Sequence, residues 1–261
     1  MNRIDSSFKK GKVFAAYFTA EKGHNDYLLN VTKSLLNAGV NLFEIGVPFS
    51  DPIADGPVIQ KAMQNSLEKG TTLNDALFLG SEIRKISEVP LILFTYLNPL
   101  LSKGKTIFEE IKKAGFDGIL IVDLPFEESG AIMSDIREVE LDPIFILTPS
   151  TSNLRASKII KEASGFIYYV CQKGTTGVRD SLPNDFESNI TKIKTITSIP
   201  LLAGFGISNY ESAKGALSCA DGFVVGSAIV KMITDNKTPE DIRAFAENID
   251  PRKVEHGIHV V

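Results

Sequence analysis

Eight short apolar runs punctuate the chain: Val13–Phe18, Leu42–Ile45, Leu91–Thr95, Ile119–Val122, Ile144–Leu147, Phe166–Val170, Pro200–Ala203 and Phe223–Val225. Each is nearly continuous in apolar residues rather than alternating, and each is bounded by turn formers. That is the pattern of parallel strands buried on both faces. Between the runs lie helical stretches with recognisable starts. Ser208-Asn209-Tyr210-Glu211 and Thr106-Ile107-Phe108-Glu109 have capping-box spacing, and Thr238-Pro239-Glu240 puts proline at a first helical position. At the N-terminus, Ile4 and Phe8 share one face of a short amphipathic helix.

A weak internal echo supports the same organisation. Ala38-Gly39-Val40-Asn41-Leu42-Phe43 resembles Ala114-Gly115-Phe116-Asp117-Gly118-Ile119 and Ala220-Asp221-Gly222-Phe223-Val224, each reading as a helix end, a tight turn and the next strand. No linker or low-complexity stretch interrupts the series. The expectation is one α/β domain over residues 1–261, a single (β/α)8 TIM barrel with a short N-terminal helix. A doubly wound open sheet is the rival, but the chain has no dinucleotide fingerprint.

Composition narrows the function classes. The net charge is −4 and no basic stripe appears, which disfavours nucleic acid as a main partner. The only cysteines, Cys171 and Cys219, lack any paired spacing, and two isolated thiols fit a reducing cytoplasm better than a disulfide framework or a zinc site. Residues 1–10 have no apolar segment and no long apolar run follows, so neither secretion nor membrane spanning is expected. The histidines, His24, His256 and His259, stand apart from the motifs below, and no metal site is expected.

The candidate chemistry begins at Glu44, a carboxylate inside an apolar run. Glutamate is rarely buried, because desolvating its charge is costly unless it is paired or protonated. On a strand, Leu42 and Glu44 share one face and Phe43 and Ile45 the other. Glu44 also lies near the C-terminal end of its run, where barrel enzymes place their reacting groups. An apolar surround raises a carboxyl pKa and suits it to acid–base work near neutral pH. The strand alone equally allows a structural glutamate bonded to a buried neighbour. Asp55 follows in a loop stiffened by Pro48, Pro52 and Pro57, with Asp51 an alternative acid in the same loop; either aspartate alone fits a turn or a helix cap. Three later strands end in glycine-rich turns, Gly174-Thr175-Thr176-Gly177, Gly204-Phe205-Gly206-Ile207-Ser208 and Gly226-Ser227. Glycine pairs after strands seven and eight favour a phosphate held by backbone N–H groups, the alternative being tight βα turns. The first of these turns heads a polar stretch long enough to act as a lid.

With these residues assembled, the chain resembles the alpha subunits of tryptophan synthase over essentially its whole length. The longest shared motif is Leu42-Phe43-Glu44-Ile45-Gly46-Val47-Pro48-Phe49-Ser50-Asp51-Pro52-Ile53-Ala54-Asp55-Gly56. Tyr96-Leu97-Asn98, Val122-Asp123-Leu124-Pro125, Gly226-Ser227-Ala228-Ile229-Val230 and the glycine turns support it. The resemblance implies a lyase of tryptophan biosynthesis that cleaves indole-3-glycerol phosphate to indole and glyceraldehyde 3-phosphate by a retro-aldol reaction. It implies Glu44 as proton shuttle and Asp55 as acceptor of the indole N–H, with Tyr168 nearby and Thr176 fixing Asp55. Gly177, Gly206, Gly226 and Ser227 would hold the phosphate. Tyr17, Phe94, Leu120, Ile146 and Phe205 would line the indole pocket. No cofactor is implied in this subunit; pyridoxal phosphate (PLP) would sit in a partner beta subunit, met through Pro48 and Asp51 in an alpha2–beta2 complex.

The chain departs from the family pattern at three places. Glu21-Lys22-Gly23 replaces Gly-Asp-Pro after the first strand, Thr148-Pro149 replaces Pro-Pro after the fifth, and Tyr17 replaces phenylalanine, adding a hydroxyl that needs a partner. Two rival readings remain at this level: a chiefly regulatory subunit that activates the beta chain, and another phosphate-binding barrel enzyme.

Overall fold

The computed structural model describes residues 2–170, 182–204 and 206–253. Eight strands close into one parallel barrel in sequence order: β1 Val13–Thr19, β2 Leu42–Gly46, β3 Leu91–Thr95, β4 Gly118–Ile121, β5 Asp142–Leu147, β6 Ile167–Val170, β7 Leu201–Gly204 and β8 Gly222–Val225. All eight expected runs are strands, with no end shifted by more than two residues. The ladder closes where β1 pairs with β8, Val13 opposite Gly222 and Ala16 opposite Val225.

The helix layer comprises α1 Arg3–Lys9, α2 Asn25–Ala38, α3 Pro57–Glu68, α4 Leu73–Ile86, α5 Leu97–Leu101 and α6 Thr106–Lys113. It continues through α7 Gly130–Glu138, α8 Asn153–Glu162, α9 Phe186–Lys194, α10 Tyr210–Cys219, α11 Ser227–Thr234 and α12 Pro239–Ile249. Thr238 caps α12 as its sequence suggests, its side chain accepting from the Asp241 N–H with Pro239 in the first turn. Two caps differ from the expected register. Asn209, not Ser208, caps α10, because its shorter reach to Ser212 closes a capping box there, and Thr106 lies inside α6 behind Lys105. Gly39 ends α2 at φ 100°, a left-handed position that glycine takes without strain. Ile4 of α1 is fully buried, with Phe8 packed against the core beside Phe166. Among the described residues no helix is long and apolar enough to cross a membrane.

The internal echo has a physical basis. In each copy the polar residue just before the strand accepts an N–H from the first or second residue of the preceding strand. Asn41 Oδ1 takes the Phe14 N–H at 2.8 Å, Asp117 Oδ2 the Leu91 N–H at 2.9 Å and Asp221 Oδ2 the Leu201 N–H at 2.9 Å. These side chains staple neighbouring strands at the N-terminal end of the barrel. Asp117 does more than the others: it also accepts from Arg84 Nη2 at 2.8 Å and Arg3 Nη1 at 3.1 Å, joining α1 and α4 to the sheet. Its side chain is 5% exposed, against 32% for Asp221. Removing one partner of a buried charged cluster leaves the others desolvated and unpaired. Asp117→Ala is therefore expected to cost about 3 kcal/mol in urea unfolding, and Asp221→Ala about 1 kcal/mol. Equal losses would show that burial does not set the strength of the staple.

Candidate functional site

The candidate carboxyls sit at the C-terminal mouth, in a cleft lined by Tyr17, Glu44, Asp55, Phe94, Tyr168, Gly206, Gly226 and Ser227 among others. Strand periodicity puts Tyr17, Glu44 and Phe94 on the inner wall, and the register makes Tyr17 the partner of Glu44 and Phe94 the partner of Gly46. Large inner side chains fit only where a neighbouring strand gives way. A Cβ at Gly46 would collide with Tyr17 Oη, and one at Gly204 with Tyr168 Oη. Two glycines at strand ends thus make room for two tyrosine rings. Tyr17 also packs edge-on to Phe94, with ring centroids 5.1 Å apart.

Glu44 is fully buried, and neither carboxyl oxygen has a hydrogen-bond partner among the described residues. Burial pushes its pKa up to about 8, since nothing nearby favours the charged form. A buried unpaired polar group is uncommon in a folded protein and marks a position kept for something other than stability.

Asp55 is held from several sides. Its backbone N–H donates to the Pro52 carbonyl at 3.0 Å, and its own carbonyl accepts from Gln60 Nε2 at 2.9 Å. Tyr96, immediately after β3, donates its hydroxyl to Asp55 Oδ2 at 2.7 Å and accepts the Ala54 N–H at 3.1 Å. Phe49 stacks on Tyr96 with centroids 4.7 Å apart, and Asp123 Oδ1 fixes the next residue by accepting the Leu97 N–H at 2.7 Å. Burial raises the Asp55 pKa to about 6, the Tyr96 bond opposing that rise. Around neutral pH the pair therefore presents a protonated Glu44 and an ionised Asp55. Tyr96 entered the sequence reading only as part of a shared motif; a tyrosine directly after a strand end was the available signal.

The candidate anion end is built from backbone. Gly206 adopts φ 81°, and Gly226 precedes α11 as its N-cap, so the free N–H groups of that first turn face the mouth. Ile207, Ser208, Val224 and Ala228 complete this side, together with Ile59 of α3. Leu120 is fully buried on β4 between Phe94 and Ile144 in the ladder, and does not border the cleft. Ile146 lines a second cavity instead, beside Val122, Phe126 and Met133. In loop two, Pro48 is buried and Asp51 exposed, the latter accepting from Ser50 Oγ at 2.6 Å. Thr176, Gly177 and Phe205 lie outside the described residues, as do Cys171, His256 and His259. Among the described residues no group of three His, Cys, Asp or Glu could hold a metal ion.

Residues 5–259 match the family model of the tryptophan synthase alpha chain. The tryptophan synthase alpha chain of Coxiella burnetii is 46% identical over 251 residues, covering 96% of this chain and 98% of its own. That of Chlamydia felis is 46% identical over 257 residues, covering 97% and 100%. Among solved structures, tryptophan synthase subunit alpha from Legionella pneumophila superposes with a TM-score of 0.87 at 30% identity, covering 99% of this chain and 100% of that one. A chain from the a2b2 tryptophan synthase complex of Pyrococcus furiosus gives 0.85 at 33% identity, covering 92% and 98%.

The unpaired carboxyl makes a linkage prediction. Because the folded pKa of Glu44 lies near 8, above its ordinary 4.5, the folded state retains a proton that the unfolded chain releases. Between those values stability falls as pH rises. Glu44→Gln removes the ionisation, so its Tm should match wild type near pH 5 and exceed it progressively towards pH 8. A difference independent of pH would show that Glu44 is not buried in its neutral form.

Proposed function

This chain belongs to the tryptophan synthase alpha chain family and is a carbon–carbon lyase of the tryptophan synthase class, and we propose that its barrel mouth cleaves indole-3-glycerol phosphate into indole and glyceraldehyde 3-phosphate. The observation that carries the residue-level reading is the pair of buried carboxyls with separated acidities, Glu44 near 8 and Asp55 near 6. A protonated acid and an ionised base in one cleft are what this retro-aldol reaction needs.

Glu44, protonated at rest, donates its proton to C3 of the indole ring. The ring becomes a cationic indolenine, and ionised Asp55 accepts a hydrogen bond from its N–H and stabilises the growing charge. Tyr96 occupies Asp55 Oδ2, which leaves Oδ1 for the substrate. Glu44, now a carboxylate, removes the proton from the hydroxyl on the adjacent carbon. As that carbonyl forms, the C–C bond breaks and its electron pair neutralises the ring. Glu44 ends protonated and indole is released, so the cycle closes without a further reagent. Gly206, Gly226 and Ser227 anchor the phosphate through backbone N–H groups and a hydroxyl. Tyr168, Phe94 and Tyr17 form the surround of the ring.

In this reading PLP belongs to a partner beta subunit rather than to this chain. The partner surface includes loop two of an alpha2–beta2 assembly. Asp51 and the 76% exposed Ile53 face outward there, while buried Pro48 holds the loop rather than presenting a contact.

Purified protein should form indole from indole-3-glycerol phosphate slowly alone and faster with a beta subunit. Glu44→Gln should lower kcat by at least about a hundredfold while leaving beta binding intact. Protein that activates the beta subunit but never yields indole would instead be regulatory. The pH profile of kcat/KM is the second test. It should fall as pH drops through about 6, where Asp55 protonates, and as it rises through about 8, where Glu44 ionises. Tyr96→Phe removes the donor that favours ionised Asp55, so the acid limb should move to higher pH with the alkaline limb unchanged. An unmoved acid limb would mean that Tyr96 does not tune Asp55.

A further inference from the structure

Tyr17 brings a phenol into the mouth of the barrel, where its polarity is poorly met. The residue is 3% exposed, and its hydroxyl lies 3.4 Å from Thr19 Oγ1. Hydroxyl–hydroxyl bonds are usually near 2.7–2.8 Å, so this contact is long. Either oxygen can donate in it. With Thr19 as donor, the phenolic hydrogen is left for another acceptor. Burial raises the phenol's pKa well above its ordinary value, so the group stays an O–H donor through the neutral range.

Its place in the cleft decides which acceptor. One side of the ring stands against β8, where a Cβ on Gly226 would lie 3.5 Å from Cδ1. The hydroxyl lies over Gly46, two residues beyond Glu44 on the same inner face of β2. Across the ladder, Tyr17 is the register partner of Glu44 itself. Tyr17 thus stands between the anion end at Gly226 and the carboxyls. The part of a substrate spanning that interval is neither its phosphate nor its ring, but the chain of carbons joining them. In a glycerol-type linker that chain carries two adjacent hydroxyls. Adjacent hydroxyls suit two side chains that are neighbours across a strand pair. Glu44 takes the hydroxyl whose carbon is cleaved from the ring, which leaves the other for Tyr17.

We infer that Tyr17 Oη donates a hydrogen bond to the linker hydroxyl that the reaction leaves in place, making it a substrate-positioning residue of this chain. The inference rests on the retro-aldol reading above. No proton is transferred; the bond holds the linker so that the reacting hydroxyl faces Glu44.

Tyr17→Phe keeps the ring and removes only the oxygen. Its effect is measured on indole-3-glycerol phosphate and on the analogue lacking that one hydroxyl, as kcat/KM, or as an inhibition constant where turnover is too slow. The expected result is a roughly three- to tenfold loss with the full substrate and no loss with the deoxy analogue, the worth of one hydrogen bond. Wild type should show a loss of similar size on passing from the full substrate to the analogue. Equal losses on both compounds would assign Tyr17 a packing role, and no loss on either would remove it from substrate binding; each overturns the inference. Wild-type protein that cleaves the full substrate keeps the underlying reading in place in all those cases, whereas failure to cleave it at all overturns that reading and this inference together.

Discussion

Volume inside a closed barrel is shared by all eight strands, so a large side chain on one inner wall requires a small one opposite or beside it. In this chain that constraint shapes the mouth. Tyr17 and Tyr168 lean over neighbouring strands at positions where Gly46 and Gly204 present no side chain. The two rings then wall a cleft around Glu44 that is dry enough to keep its carboxyl neutral near pH 7. The weak acidity of Glu44 is thus a consequence of packing. A smaller residue at 17 or 168 would admit water and lower the Glu44 pKa, even though neither tyrosine is its hydrogen-bond partner.

Stability and reactivity are separated along the barrel axis. At the N-terminal end, polar groups are matched. Asn41, Asp117 and Asp221 accept strand N–H groups, and Asn41 also receives Arg252 Nη1 at 3.2 Å, tying the last described turn to the first strand pair. At the C-terminal end they are left incomplete. Among the described residues Glu44 has no hydrogen-bond partner, Asp55 bonds through one carboxyl oxygen, and Tyr17 makes only a long contact. A barrel can hold such groups at one end because strands are stapled at the other. This is the physical content of placing chemistry at the strand C-termini.

Local patterns were legible in the chain and cross-chain pairings were not. The eight strands and the face that Glu44 shares with Leu42 follow from unbroken apolar runs and the period of two, which are properties of consecutive residues, whereas the choice of that face as the inner one needs the barrel. The echo around Asn41, Asp117 and Asp221 was visible as letters, but its meaning, an acceptor for a preceding strand's N–H, needs the sheet. The capping register slipped by one at Asn209 because Ser208 and Asn209 are both good caps and only the fold chooses between them. Tyr96 is the clearest case. It sits 41 residues from Asp55, and nothing in either neighbourhood specifies the other. The long shared motif supplied Asp55 itself, yet the side chain that holds it came only from geometry.

The order of proton movements follows from how differently the two carboxyls are desolvated and bonded. Both are buried, and burial alone would raise both. Asp55 is pulled back by a phenol donating at 2.7 Å, while Glu44 receives nothing, and this leaves their values near 6 and near 8. If the two environments were exchanged, the ring carbon would meet an ionised group with no proton to give, and the ring nitrogen would meet a neutral one with no charge to offer. Unequal burial and one hydrogen bond from Tyr96 therefore distinguish two chemically similar side chains and, in the proposed reaction, give each its place.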